Sequence, residues 1–511
     1  MAESDLRANL MMKDSDSFEY DDLQGLFRFG YGKLTESCFM LLQIVDVEIT
    51  RQWLAGVDIN SAVTAFPPPE TALQIAFSVQ GLRTLGVGES VIAGFSDEFI
   101  VGMAGDESRS RRLGDIDNNR PDKWDWGGGD APVPHLLLLL YAREGAMDEW
   151  RNSVQTEQFT RAFRLLKQLP TLDIGSNEPF GFPDGISQPD IDWAFEQRTD
   201  LHERDAYSNR LAIGEVVLGY ANEYGLYTDR PLIDPEHDAL AALLPDADDH
   251  PGKKDLGRNG AYLVVRQLEQ DVAGFWQFLD KATDSVPDER EKLAAAMVGR
   301  NRNGAPLMAP TTPGSSEKHP ANQFTYLQDP DGHQCPLGAH IRRSNPRTGD
   351  FPSEVTGVFS RLKKVLGFGQ TRPDEDLVAS TRFHRLLRRG RSYGPRLTPE
   401  QALNPDAPVA ERGLQFICLV ANISRQFEFV QNAWTMSSKF AGTQNESDPL
   451  LGQRQPLMSG EPRDQFHRQD PRGPAQKTSH LPQFISVRGG GYFFIPGLRA
   501  LRYIASASVR S

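Results

Sequence analysis

Three short segments concentrate the side chains that could do chemistry. Residues 177–191 read NEPFGFPDGISQPDI, centred on Gly181-Phe182-Pro183-Asp184-Gly185. Pro-Asp-Gly is turn chemistry, with proline presetting one corner and glycine supplying a positive φ, so a plain β-turn accounts for it. The functional alternative is a turn that holds one carboxylate rigidly while Phe180 and Phe182 keep its surroundings apolar. That environment suits a general base whose proton moves in a water-poor pocket. Residues 335–347, CPLGAHIRRSNPR, set His340 between the close-approach backbone Leu337-Gly338-Ala339 and the cations Arg342, Arg343 and Arg347. The imidazole could be a ligand and the arginines could hold a cofactor's carboxylates. A surface strand whose histidine, one of ten, is incidental is the other reading. Residues 382–396 gather six arginines, Arg382, Arg385, Arg388, Arg389, Arg391 and Arg396, around a Gly390 turn. They form either a solvated basic face or an arginine aimed inward to stabilise an anion.

These groups need elements to position them. Apolar runs at 38–45, 72–77, 136–141, 261–266, 414–420 and 492–495 predict buried strands. Helical spacing marks 78–85, 147–169, 272–282 and 424–434, and the neighbours of Trp276 and Trp434 assign both rings to the core. Strand-then-helix pairs occur in both halves, and LQIAF at 73–77 beside LQFIC at 414–418 hints at a duplication. The alternation alone fits a doubly wound α/β fold as well as an α+β one. Polar stretches at 105–134, 231–259, 301–333, 346–376 and 442–483 read as functional loops or insertions, with the halves dividing within 233–257. Gly489-Gly490-Gly491 precedes a strand, not a helix, which does not suit a phosphate cradle. GxxxxGK[ST], HExxH and GxSxG are missing, as is a GxGxxG with its downstream acid.

The whole chain narrows the partners. Its 511 residues carry 55 Lys and Arg against 69 Asp and Glu, a net charge of −14. A field of that sign repels phosphate backbones and anionic membranes, so nucleic acid and membrane are excluded as partners. Three scattered cysteines suit a reducing compartment. The acidic N-terminus offers no legible signal peptide, and the longest apolar run falls far short of the ~20 residues of a membrane span. A cytoplasmic protein is the expectation.

Taken together, the three segments resemble the dye-decolourising peroxidases, a family of haem enzymes, in their larger bacterial and fungal subgroup. The family's GxxDG motif is matched at Gly181 to Gly185. Its proximal-histidine segment is similar to Ala339-His340-Ile341-Arg342 with Asn345-Pro346-Arg347, and its distal-arginine segment to Arg388-Arg389-Gly390 followed by Tyr393-Gly394. The likeness runs from the 38–45 strand through WDWGG at 124–128 to YFFIPG at 492–497. It implies an α+β fold of two ferredoxin-like domains, antiparallel sheets with peripheral helices. An acidic tail at 1–26 would precede a GxxDG-bearing domain at 27–245 and a domain at 246–511 that mainly holds haem b.

The resemblance also implies roles. His340 would be the iron ligand and Asp184 the distal acid/base. Arg388, with Arg389 as fallback, would stabilise the leaving oxygen and touch the haem, and Arg342 and Arg347 would partner its propionates. For the acid on the other nitrogen of His340 the residues offer only a guess, Glu428. Hydrogen peroxide would be reduced through a ferryl intermediate, and dyes, phenols or other aromatic donors oxidised, at mildly acidic pH and in a possible homo-oligomer. A haem-binding or iron-releasing protein, or a cofactor-free scaffold or encapsulated cargo, are the alternatives.

Overall fold

Leucine, β-branched and aromatic residues dominate two sets of strands, which the computed structural model of the chain joins in one antiparallel sheet. The structure describes residues 18–172, 177–195, 209–308, 320–347, 380–406, 408–457 and 459–507. Residues 1–17 of the tail expected at 1–26, and most of the polar stretch at 346–376, lie outside the described residues. The first set is β1 (Glu36–Ile44), β2 (Thr71–Phe77), β3 (Leu136–Ala142) and β4 (Phe163–Pro170). The second is β5 (Ala261–Gln270), β6 (Leu387–Arg388), β7 (Arg391–Tyr393), β8 (Gly413–Val420) and β9 (Ile485–Ile495).

Strand order is β6-β8-β5-β9-β2-β3-β1-β4, with β7 also pairing with β8. The first set therefore runs 4-1-3-2. Counting β6 and β7 as one interrupted strand, the second set repeats that order from β5. This is the ferredoxin-like arrangement, present twice. Pairing within both sets is antiparallel, which settles the choice against a doubly wound sheet, whose strands are parallel. The two sets meet where Phe494 of β9 pairs with Phe77 of β2.

The run LLLLLYA of β3 is apolar throughout because both faces of the sheet are covered. Leu136, Leu138 and Leu140 enter one core while Leu137, Leu139 and Tyr141 enter the other. Helix α1 (Val47–Gly56) starts at Asp46, whose carboxylate accepts from Ile49 N. Asp271 caps α2 (Val272–Ala282) in the same way, and α3 (Pro287–Val298) opens on a proline, which needs no N–H partner there.

Three elements differ from expectation. The helical spacing over 147–169 resolves into helices Met147–Val154 and Glu157–Ala162 followed by β4. There the free edge of β1 recruits 163–170 as a strand, and that pairing overrides local periodicity. Residues 424–434 are helical but π-wound, over Ser424–Glu428 and Val430–Thr435. The triglycine lies inside β9 rather than before it, and Gly489 lets Trp126 approach the strand, since a Cβ there would sit 2.3 Å from its Nε1. Among the described residues no helix is long and apolar enough to cross a membrane.

Candidate functional site

The loop bearing Asp184 is built around Glu178. Glu178 accepts from Phe180 N at 2.9 Å, from Phe182 N at 3.0 Å and from Gln270 Nε2 of β5 at 2.8 Å. Trp276 Nε1 donates to Phe180 O at 3.2 Å, so the core ring also holds the loop. Gly181 and Gly185 occupy positive φ (+99° and +79°), where a Cβ is strained. Loss of solvent pushes the Glu178 carboxyl up to about 7. The same anchoring buries Phe180 and Phe182 and leaves Asp184 on the wall of a cavity.

Arg388 ends β6 and Arg389 follows it, so the paired arginines point to opposite sides. Arg388 lines the cavity, and its Nη1 donates to Asp184 Oδ1 at 2.6 Å. Arg389 turns the other way, donating to Leu26 O and Phe27 O, both at 2.8 Å. Burial works to raise the Asp184 carboxyl, but the Arg388 charge and the Gly185 N–H outweigh it and hold the group below the usual carboxylate range.

His340 opens the short helix α4 (His340–Ser344) and faces the same cavity. Its Nδ1 lies 2.8 Å from Asp448 Oδ2. Asp448 is buried, and its Oδ1 accepts from Leu450 N and Leu451 N, each at 2.9 Å. A carboxylate so placed assigns the proton to Nδ1 and leaves Nε2 as the free donor atom. Burial would lower the His340 pKa, yet the Asp448 charge and hydrogen bond carry it above the ordinary value. Arg343, wholly buried, ties α4 to the π-wound segment through Trp434 O at 2.8 Å and Ser437 O at 2.9 Å.

Glu428 is not the partner of His340. Its Oε1 accepts from Arg109 Nε at 2.8 Å and Tyr492 OH at 2.9 Å, and those two bonds fix it elsewhere. Asp448 carries no motif of its own in the sequence and lies 108 positions from His340, so nothing local pointed to it.

Arg342 and Arg347 also lie off the cavity wall. Arg342 pairs with Asp329 Oδ2 at 3.0 Å and donates to Cys335 O at 2.6 Å. Arg347 donates to Asn322 O at 2.9 Å and Phe324 O at 3.0 Å. Among the described residues, the arginines that do reach the cavity with Arg388 are Arg300 and Arg385. Arg300 stands outside every basic run in the sequence, and its Nη2 donates to Ser187 Oγ at 2.9 Å.

The cavity holds about 1490 Å³ of empty volume, its mouth included, between Phe182, Leu268, Phe416, Phe427, Leu450 and the π-wound wall. A haem asks for a flat apolar slot, one strong axial nitrogen and cations for two propionates. The donor set supplies each: Nε2 of a carboxylate-backed His340, aromatic and leucine walls, and Arg300, Arg385 and Arg388. These residues fit a haem.

No family model matches the chain. It is 28% identical over 499 residues to a multifunctional dye peroxidase of Amycolatopsis sp., covering 94% of this chain and 92% of that one. It is 26% identical over 512 residues to a dye-decolorizing peroxidase of Auricularia auricula-judae, covering 95% and 86%. Among solved structures, that of the Auricularia enzyme with imidazole superposes with a TM-score of 0.71 at 24% identity, over 96% of this chain and all of that one. A DyP-type peroxidase of Anabaena sp. gives 0.68 at 22%, over 95% and 94%. A deferrochelatase of Yersinia pestis matches only 34% of this chain and 27% of its own length, at 27% identity.

Fold and relatives define an α+β enzyme whose one large sheet carries the ferredoxin-like strand order twice. Within that class, the chain is similar over nearly its whole length to dye-decolourising peroxidases.

Proposed function

We propose that the protein is a haem b-dependent peroxidase that reduces hydrogen peroxide and oxidises dyes, phenols or other aromatic donors. One observation carries the reading: His340, backed by Asp448, and the Asp184–Arg388 pair line one apolar cavity. Bound there, haem supplies the iron at which peroxide is reduced.

The chain's own residues do the rest. His340 offers Nε2 to the iron, and Asp448 fixes the ring's orientation and raises its basicity through Nδ1–H. Asp184, kept ionised, takes a proton from one oxygen of hydrogen peroxide and returns it to the oxygen that leaves as water. Arg388 lies beside that carboxylate and neutralises the negative charge growing on the leaving oxygen. Arg300 and Arg385 hold the propionates. Phe180, Phe182 and Phe416 keep bulk water from the proton transfer.

The test is an absorption spectrum of haem-loaded protein before and after one equivalent of peroxide. A Soret band that changes with peroxide is expected. No Soret band refutes the reading, and a band indifferent to peroxide points to a haem-binding or iron-releasing protein.

A further inference from the structure

We propose that Gln188 is a positioning residue for the Asp184–Arg388 pair, its carboxamide standing in for a neighbouring strand along β6. The inference rests on the peroxidase reading above. β6 is two residues long and ends the sheet. Leu387 and Arg388 face Leu419 and Cys418 of β8, and Arg389 N donates to Ile417 O at 2.7 Å. In an antiparallel pair successive residues direct their N–H and C=O to alternate sides, so those of Arg388 face the open edge.

Gln188 meets both. Arg388 N donates to Gln188 Oε1 at 3.0 Å, and Gln188 Nε2 donates to Arg388 O at 3.0 Å. These are the two bonds an adjacent strand would make, supplied by one side chain. Gln188 is itself anchored, its N donating to Ile186 O at 3.0 Å and its O accepting from Asn209 Nδ2 at 2.6 Å. It follows Asp184 by four residues. The carboxylate and the backbone that carries the guanidinium are thereby fixed to one segment, and the Arg388–Asp184 bond closes the ring. Ser187 and Pro189 line the cavity and Gln188 does not, so it acts through Arg388 rather than on the substrate. The demand is geometric, since a shift of about 1 Å in a catalytic group costs on the order of 10²-fold in rate.

Gln188→Met keeps the length of the side chain and removes both bonds, while Gln188→Glu keeps the acceptor for Arg388 N–H. Hydrogen exchange at the Arg388 amide, measured without haem, reads the clamp directly. The rate of peroxide reaction, its pH profile and the haem affinity of loaded protein read its consequence. In Gln188→Met, Arg388 exchange should rise about tenfold and the peroxide rate fall about tenfold or more, with haem affinity unchanged. The acid limb of the rate should move to higher pH as Arg388 loosens from Asp184. Gln188→Glu should restore most of the exchange protection. Unchanged exchange in Gln188→Met, or faster exchange with an unaltered rate and pH profile, overturns the proposal. Wild-type protein that binds no haem refutes the peroxidase reading instead, and the exchange measurement still decides whether the clamp exists.

Discussion

Arg388 Nη1 donates to Asp184 Oδ1 at 2.6 Å, joining residues 204 positions apart. The carboxylate comes from a loop that follows the first sheet set, the guanidinium from an edge strand of the second. The pair thus ties a loop that follows the first set to the outer edge of the second, away from the β9–β2 seam. Part of each side chain, 35% of Asp184 and 27% of Arg388, stays accessible where a reactant could reach it.

Asp184→Asn keeps the volume of the side chain and removes its capacity to accept a proton. The rate of peroxide reaction should fall by roughly 10²–10⁴-fold, the usual contribution of a positioned acid/base, while the haem-loaded spectrum keeps its Soret band. Stopped-flow absorbance at the Soret maximum measures both. An unaltered rate would remove Asp184 from the mechanism.

The position of Asp184's titration sets the pH dependence. Its carboxyl is held below the ordinary value, so it stays ionised in mild acid, where an unperturbed histidine base would be protonated. Turnover should therefore be best at mildly acidic pH and fail only as Asp184 protonates. Stability follows the same sign. A depressed folded pKa contributes in full above the unfolded value and is lost as pH falls through the folded one. A rate–pH profile peaking in alkali would count against Asp184.

The paired arginines should separate cleanly. Arg388→Ala should cost on the order of 10²–10³-fold in peroxide reaction, as loss of a charge-stabilising donor does, and should move the acid limb upward. Arg389→Ala should leave that rate near wild type and lower stability by about 1.5–3 kcal/mol, because its bonds go to Leu26 O and Phe27 O. Kinetics and thermal melts of the two variants make the comparison.

Asp184, His340 and Arg388 were legible as candidates because each sits in a local segment, and the resemblance of those segments, not their residue types alone, suggested roles. The structure brings the three to one cavity. The sequence did not carry Asp448, Gln188 or Arg300, whose roles arise only when segments distant in the chain meet. The basic run was legible as composition but not as geometry. Arg342, Arg343, Arg347 and Arg389 bond largely to backbone carbonyls, and among the described residues of the run Arg385 and Arg388 reach the cavity. The sheet's duplication was likewise visible as paired apolar strands, whereas their antiparallel order needed the pairing itself.

Asp448 and Glu428 give opposite expectations. Asp448→Ala should weaken haem binding roughly 10–100-fold by freeing the ring of His340. Glu428→Ala should leave haem affinity alone and destabilise the fold by about 1–3 kcal/mol, because Arg109 Nε and Tyr492 OH would lose their buried acceptor while Arg109 keeps Asp106. Haem titration beside denaturant unfolding distinguishes them. Equal effects on haem affinity would return the proximal partner to open question.

Gly338 tests how tightly the proximal side is packed. It lies two residues before His340, and a Cβ there would sit 1.5 Å from Glu446 Oε1. Glu446 is buried and cannot simply turn away, since its Oε2 accepts from His467 N at 2.9 Å and lies 2.7 Å from His467 Nδ1. It also precedes Asp448 by two residues, so displacing it disturbs the carboxylate behind His340. Gly338→Ala should therefore cost about 1–3 kcal/mol, as overpacking a filled core does, and weaken haem binding in the same variant. The peroxide rate per bound haem should hold, because Asp184 and Arg388 belong to other segments. Thermal unfolding and haem titration read the two losses, and wild-type values in both would mean that Glu446 has no part in fixing the proximal pair.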